Sequence, residues 1–140
     1  MHTYSISSPE EWISFLHMDN NKRTTVIGAG GKTTLLSLLS QGFSSCGQST
    51  LLTPTTHIFP PSHLSEALLL TCGQKKSLEE AFRTRSLVAL GKPESHTHKW
   101  GSFPLSFLEE IADVPDRIVC EGDGAKKNPL KIPRQGEPVF

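Results

Sequence analysis

The stretch "VIGAGGKTT", residues 26–34, restricts the possible folds of this chain more than any other segment. The β-branched segment "RTTVIG" leads into a cluster of small residues, and the leucine-rich segment "KTTLLSLLSQGF" follows at once. Glycines allow a positive φ and a close approach of the backbone to a ligand, and a helix beginning just after them presents its positive N-terminal end. The order strand, glycine loop, helix therefore predicts a phosphate-binding loop in an α/β domain.

Each part of this loop has a predicted role in holding ATP or GTP with Mg²⁺. Lys32 would contact the terminal phosphates, and the Thr33 hydroxyl would help to hold Mg²⁺. Val26 occupies the first glycine position of G-x-x-x-x-G-K-[ST], so the loop fits a shorter G-x-x-G-K-T-T form, similar to that of the Mur-type ligases. The predicted nucleotide-binding residues of the loop are Gly28, Ala29, Gly30, Gly31, Lys32, Thr33 and Thr34.

A dinucleotide-binding loop is the main competing interpretation, because Gly28 and Gly30 begin a G-x-G-x-x-G pattern. The third glycine position is Thr33, however, and the second strand ends in "LLTPTT" without an acid for a ribose hydroxyl. The pair Lys32-Thr33 suits a triphosphate and magnesium better. A plain glycine-rich turn with a coincidental lysine is the other alternative.

Short apolar segments alternate with amphipathic ones along the rest of the chain. Strands are predicted over "STLLTP", "ALLLTCG", "SLVALG" and "DRIVCEGDG", with "SHLSEALLL" as an alternative helix. Helices are predicted over "SPEEWISFL", over the segment after the loop as far as Gly42 or Gly47, over "SLEEAFRT" with Ser77 as its cap, and over "FPLSFLEEIAD". This alternation predicts a single P-loop-type domain over residues 1–140, with three layers and a mostly parallel sheet of about five strands.

Two further segments are predicted to complete the site. Glu121 and Asp123 end the strand "RIVCEGDGA" and are candidate catalytic and metal-binding carboxylates beside Lys32, with the division of roles between them left open. Thr55 and Thr56 in "TPTTH" are candidate contacts to the γ-phosphate. The competing interpretation of both segments is a polar turn.

Composition limits the classes of function. The chain carries 14 basic and 14 acidic residues, which argues against a nucleic-acid partner. It has no apolar stretch approaching the roughly 18 residues of a membrane span and no secretory leader pattern, so we expect a cytoplasmic protein without a membrane partner. Its three widely spaced cysteines fit reduced, mostly buried thiols.

Three stretches together carry a resemblance to a known family. "VIGAGGKTT", "LLTPTTHI" and, most specifically, "CEGDGAKKNPLKIPRQGEPVF" are similar to the selenium-dependent hydroxylase accessory proteins, the YqeC-like family. The resemblance implies a nucleotide-binding role in the maturation of selenium-dependent molybdenum hydroxylases, with an apo-hydroxylase or a cofactor-maturation protein as partner. The resemblance implies longer family members, so we expect this chain to be a fragment or a shortened form that either self-associates into a homo-oligomer or is less stable than an extended version.

Two other functions remain open at this point. A small-molecule kinase or ligase would bind an anionic cofactor precursor through Lys126, Lys127 and Lys131. A nucleotide-switched chaperone would bind the nucleotide without significant turnover. The sequence does not decide between ATP and GTP.

Overall fold

The fold is known from a computed structural model that describes residues 6–18, 20–28 and 30–122. The helices are α1 (Pro9–Phe15), α2 (Lys32–Ser45), α3 (Lys75–Phe82) and α4 (Leu105–Glu110). The strands are β1 (Arg23–Val26), β2 (Thr50–Pro54), β3 (Leu68–Leu70), β4 (Leu87–Leu90), β5 (Lys92–Pro93), β6 (Trp100–Gly101) and β7 (Arg117–Glu121).

The main sheet has five strands in the order β1-β7-β2-β4-β3, and every neighbouring pair is parallel. All residues of β2 and β4 are buried, as continuous apolar runs in a doubly covered parallel sheet should be. The strands β1 and β3, at the two edges, are more exposed. The prediction of an α/β fold with a mostly parallel sheet is confirmed.

Helices cover both faces of the sheet, since alternate strand residues belong to two separate cores. Leu52 and Val119 join a cluster with Leu39 and Phe43 of α2 and with α1. Their strand neighbours Leu51 and Ile118 face the other way and join a cluster around Leu78 of α3 and Ile111 after α4. The period of two along each strand thus produces the three layers.

Helix ends agree with the sequence in part. Ser8 caps α1, and its Oγ accepts a hydrogen bond from the Glu11 amide at 3.3 Å. Gly47, with φ 77°, follows the C-terminus of α2, whereas the alternative terminator Gly42 lies inside the helix and packs against Pro9 of α1. Ser77 is not a cap, because α3 begins two residues earlier at Lys75.

Two further expectations are corrected, and one element was not expected. The segment before β3 forms turns, so the alternative helix over "SHLSEALLL" is wrong, and Cys46 and Cys72 are exposed thiols. A two-stranded antiparallel hairpin, β5–β6, was not predicted, because each of its strands is only two residues long. Within the described residues, no helix is both long enough and apolar enough to cross a bilayer.

Candidate functional site

The glycine loop connects the end of β1 to the start of α2 at the carboxyl edge of the sheet. Gly28 has φ 125° and Gly31 has φ 71°, a region of backbone conformation that other residues rarely adopt. A Cβ added at Gly28, Gly30 or Gly31 would meet no atom within 4 Å. The loop therefore needs glycine for its conformation, and the space beside these positions is open to a ligand. Ala29 lies outside the described residues.

The N-terminus of α2 lacks the side chains that usually neutralise a helix start. Gly31 is the N-cap, no side chain caps the first turn, and the first turn contains no acidic residue. The first intrahelical bond runs from the Leu35 amide to the Gly31 carbonyl at 2.9 Å. The preceding amides, those of Lys32, Thr33 and Thr34, belong to the group that a helix leaves without intrahelical partners. Such a helix end is suited to an anion.

Lys32 folds back over the loop. Its Nζ atom donates a hydrogen bond to the Gly28 carbonyl and lies 3.9 Å from Oε1 of Glu121. Both charged side chains are only 12% exposed. The loop lysine and the strand-end carboxylate are therefore brought together, while their roles at phosphates and metal stay predictions.

Glu121 reaches this position because β7 is the direct neighbour of β1. Glu121 is in register with Val26, and the Gly122 amide donates to the Val26 carbonyl at 2.9 Å, so the two strands end side by side. Glu121 and Thr33 line the same cleft, which we call the α2 cleft and which has a volume of about 230 Å³. Asp123 lies outside the described residues, so its predicted metal or catalytic role stays a prediction.

Thr55 is tied to β7. Its amide and its hydroxyl both donate to the Glu121 carbonyl, at 3.0 Å and 2.7 Å, and the hydroxyl also lies 3.1 Å from the Gly122 carbonyl. These bonds join the ends of β2 and β7 and fix the backbone that carries Glu121. In this structure the Thr55 hydroxyl, which was predicted to contact a γ-phosphate, thus holds the backbone of Glu121 in place.

Thr56 lies beside a second, more open groove. Its Oγ1 is buried and has no hydrogen-bond partner among the described residues. The groove, of about 660 Å³, extends from Thr55 and Thr56 to the β5–β6 hairpin. At its edge, Nε2 of His57 lies 2.6 Å from Oε1 of Glu94. Thr55 thus lies beside the end of β7, and both threonines line a groove that Thr33 does not line, so their predicted contact with a γ-phosphate stays a prediction.

The donor chemistry beside the loop fits magnesium. The Thr33 hydroxyl and the Glu121 carboxylate supply hard oxygen atoms, the ligand type that Mg²⁺ prefers. Among the described residues, no group of three or more His, Cys, Asp or Glu side chains could enclose a metal ion. A magnesium ion here would therefore take most of its ligands from phosphates and water, which is usual for Mg²⁺ with nucleotides.

Sequence reasoning missed part of the α2 cleft. Ser37 follows Thr33 by one helical turn, and its Oγ lies 2.7 Å from Nε2 of His63, which comes from the segment after β2. Lys99, from the β5–β6 hairpin, lines the same cleft. The spacing of Thr33 and Ser37 by four residues was the one signal available, because it puts both on one side of α2.

Comparison with known proteins gives the family. The profile of the family described as YqeC protein matches residues 24–140. The chain belongs to the YqeC family. An uncharacterized YqeC protein of Escherichia coli K12 is 33% identical over 125 residues, covering 85% of this chain and 48% of the relative. The chain thus spans about half the length of that curated relative. No solved structure matches the chain.

Proposed function

We propose that this YqeC-family domain binds ATP or GTP with Mg²⁺ at the glycine loop and acts as a nucleoside triphosphatase in the maturation of selenium-dependent molybdenum hydroxylases. One observation carries the nucleotide part of the proposal. The uncapped start of α2, the positive-φ glycines and the Lys32–Glu121 pair all meet at the carboxyl edge of a parallel sheet. In open α/β sheets this edge is where ligands bind.

The chemistry assigns a role to each group. The loop amides would bind phosphate oxygens, and the Lys32 ammonium would move onto the terminal phosphates and neutralise their charge. Thr33 and Glu121 would hold the metal, which when bound supplies charge neutralisation at the phosphates. Asp123, two residues after Glu121, is a second carboxylate proposed for the metal or for the attacking water.

The hydroxylase part of the proposal is supported by family membership and by the motif resemblance. The chain carries the acidic segment "EGDGA", residues 121–125, and the segment "PLKIP", residues 129–133, and these two make the resemblance specific. An apo-hydroxylase or a cofactor-maturation protein is the proposed partner, and the cytoplasm the proposed compartment. Because the chain spans about half of its curated relative, the activity of the whole protein belongs to the proposal as well.

Isothermal titration calorimetry tests the nucleotide proposal directly. ATP, GTP and CTP are titrated into the full chain with and without Mg²⁺, and AMP serves as the control for base and ribose contacts. We expect a triphosphate to bind more tightly than AMP and to require Mg²⁺ for full affinity. Equal affinity for ATP and AMP, independent of Mg²⁺, would contradict the proposal.

A second measurement separates turnover from simple binding. Phosphate release is followed with and without an apo-hydroxylase of the selenium-dependent class. Release that rises when the apo-enzyme is added would support the maturation role. Tight nucleotide binding without release in either case would favour a nucleotide-switched chaperone instead.

A further inference from the structure

The α2 cleft begins at the proposed phosphate site and extends from it along α2. Thr33 and Glu121 form its end nearest the loop, and Leu36 and Ser37, one turn further along α2, form its floor. Its opposite wall comes from the segment 57–63 after β2 and from Lys99. Because Thr33 and Glu121 are the proposed magnesium ligands, the cleft lies on the terminal-phosphate side of the site.

We propose that the α2 cleft is a subsite for the anionic group of a second, small-molecule ligand, held by His63 and Lys99 beside the terminal phosphate. This inference rests on the proposed function for the identity of its neighbour. The volume of about 230 Å³ lies slightly below the range of about 300–1,000 Å³ found for drug-sized ligand sites. A small molecule with one phosphate, carboxylate or similar oxyanion suits this space better than a second nucleoside does.

His63 is held in a defined orientation. The Ser37 Oγ lies 2.8 Å from the Thr33 carbonyl, which can only accept, so the hydroxyl proton is used there. The same Oγ then accepts the Nε2–H of His63 at 2.7 Å. In the described part of the chain this is the one hydrogen bond of the His63 ring, so Nδ1 remains for a ligand, and the imidazolium form of the ring has an N–H there to donate to an oxyanion. Ser37 therefore acts as a positioning residue between the helix and the imidazole.

Lys99 supplies the positive charge. Its Nζ lies 5.4 Å from the centroid of the Phe59 ring, and no carboxylate among the described residues pairs with it. The nearby Glu94 is already engaged, since its carboxylate contacts His57 at 2.6 Å and accepts from the Thr97 hydroxyl at 2.7 Å. At the other end of the cleft, Glu121 lies beside Lys32. Lys99 and the imidazolium form of His63 thus give this wall a charge complementary to an anion, and Glu66, the carboxylate that interacts with His63, already accepts a hydrogen bond from Nε2 of Gln41 at 2.6 Å.

The probe is inorganic phosphate, added to the full chain at constant ionic strength and followed by amide chemical shifts in proton–nitrogen NMR spectra. We expect saturable shifts in the segment 57–63 and at Lys99. His63→Asn and Lys99→Met should each weaken this binding by about 3- to 10-fold, the loss expected for one partly exposed charged contact. The matched controls, His17→Asn and Lys76→Met, change the same residue types outside the cleft and should leave the shifts unchanged.

Lys32→Ala separates the subsite from the glycine loop, where phosphate is also expected to bind. The segment 57–63 should still respond to phosphate in that variant. Loss of the response in Lys32→Ala, or an undiminished response in both His63→Asn and Lys99→Met, would overturn the subsite. A separate titration with AMP-PNP and Mg²⁺ reports on the loop alone. If AMP-PNP does not bind, while His63→Asn and Lys99→Met still weaken the phosphate response, the nucleotide proposal is wrong and the anion subsite is supported.

Discussion

The Nζ atom of Lys32 lies 3.9 Å from Oε1 of Glu121, although one residue starts α2 and the other ends β7. A phosphate on the loop would compete with Glu121 for the ammonium, and a magnesium ion would compete with Lys32 for the carboxylate. When phosphate and Mg²⁺ bind together, Lys32 pairs with the phosphate and Glu121 with the metal. When only one of them binds, either Lys32 or Glu121 loses part of the opposite charge beside it. We therefore expect nucleotide and Mg²⁺ to bind cooperatively at this site.

Replacing Lys32 should discriminate between nucleotides. Lys32→Ala removes the group proposed to contact the terminal phosphates, so ATP binding should weaken by roughly 10- to 100-fold, the value of one or two charge-assisted hydrogen bonds. AMP binding should change by much less. Calorimetry on both nucleotides measures this, with Lys76→Ala, an exposed lysine of α3, as the control. An equal loss for ATP and AMP, or none, would exclude the phosphate role.

Replacing the strand-end carboxylate should affect the metal dependence. Glu121→Gln keeps the shape of the side chain but removes the charge that Mg²⁺ prefers in a ligand. We expect Mg²⁺ to enhance ATP binding less in this variant, and Asp123→Asn tests the second carboxylate in the same way. The measurement is the ratio of ATP affinities with and without Mg²⁺. A wild-type ratio in both variants would remove the metal role from this segment.

Local patterns were sufficient to predict the main elements. The alternation of strands and helices predicted a parallel sheet, and the need of a phosphate loop for a carboxylate at a neighbouring strand end singled out Glu121, which the pairing of β1 with β7 brings beside Lys32. The elements and the loop depend on hydrophobic period and glycine positions, which leave a direct trace in the sequence, whereas the order of the strands in the sheet was not predicted.

Long-range contacts were not predictable in the same way. The meeting of Ser37 with His63 joins a helix to a loop 26 residues away, and no periodicity encodes it. The β5–β6 hairpin is too short for a strand pattern, and it is held in part by Trp100, which packs over Gly91 and is buried. The fold was thus predictable, while the second half of the α2 cleft depends on tertiary packing.

Gly42 should be required for the packing of α1 on α2. A Cβ added there would lie 2.5 Å from the Pro9 carbonyl oxygen and 3.0 Å from Cγ1 of Ile13, so α1 would have to move. Overpacking of this kind costs about 1–3 kcal/mol, partly offset by the better helix propensity of alanine, about 1 kcal/mol. We expect Gly42→Ala to lower the free energy of unfolding in urea. Gly101→Ala, whose Cβ would meet nothing closer than 3.5 Å, is the control, and a stabilised Gly42→Ala would contradict the observed packing.

Asp116 should make stability depend on pH. The Ser49 hydroxyl and the Ser49 amide donate to Oδ2 of Asp116 at 2.7 Å and 2.8 Å, and these bonds lower the pKa of the carboxyl below its ordinary value of 3.8. A lowered folded-state pKa stabilises the protein above the unfolded-state value, and this contribution is lost as the pH falls through the folded-state pKa. Asp116→Asn should therefore destabilise the chain more at pH 7 than at about pH 3. Urea unfolding at both pH values tests this, and an identical loss at each would show that the carboxyl charge is not involved.

The three cysteines should differ in reactivity according to their exposure. Cys46 and Cys72 are exposed, whereas burial raises the pKa of the Cys120 thiol to about 11. Since the thiolate is the reactive form, Cys120 is almost fully protonated at pH 8 and is also shielded by β7 packing. Alkylation of the native chain with iodoacetamide, followed by mass spectrometry, should label Cys46 and Cys72 first and Cys120 about 100-fold more slowly. In urea all three should react at similar rates, and Cys120→Ser should remove only the slow phase. Native labelling of Cys120 as fast as that of Cys46 would mean that the end of β7 opens readily, together with the backbone that positions Glu121.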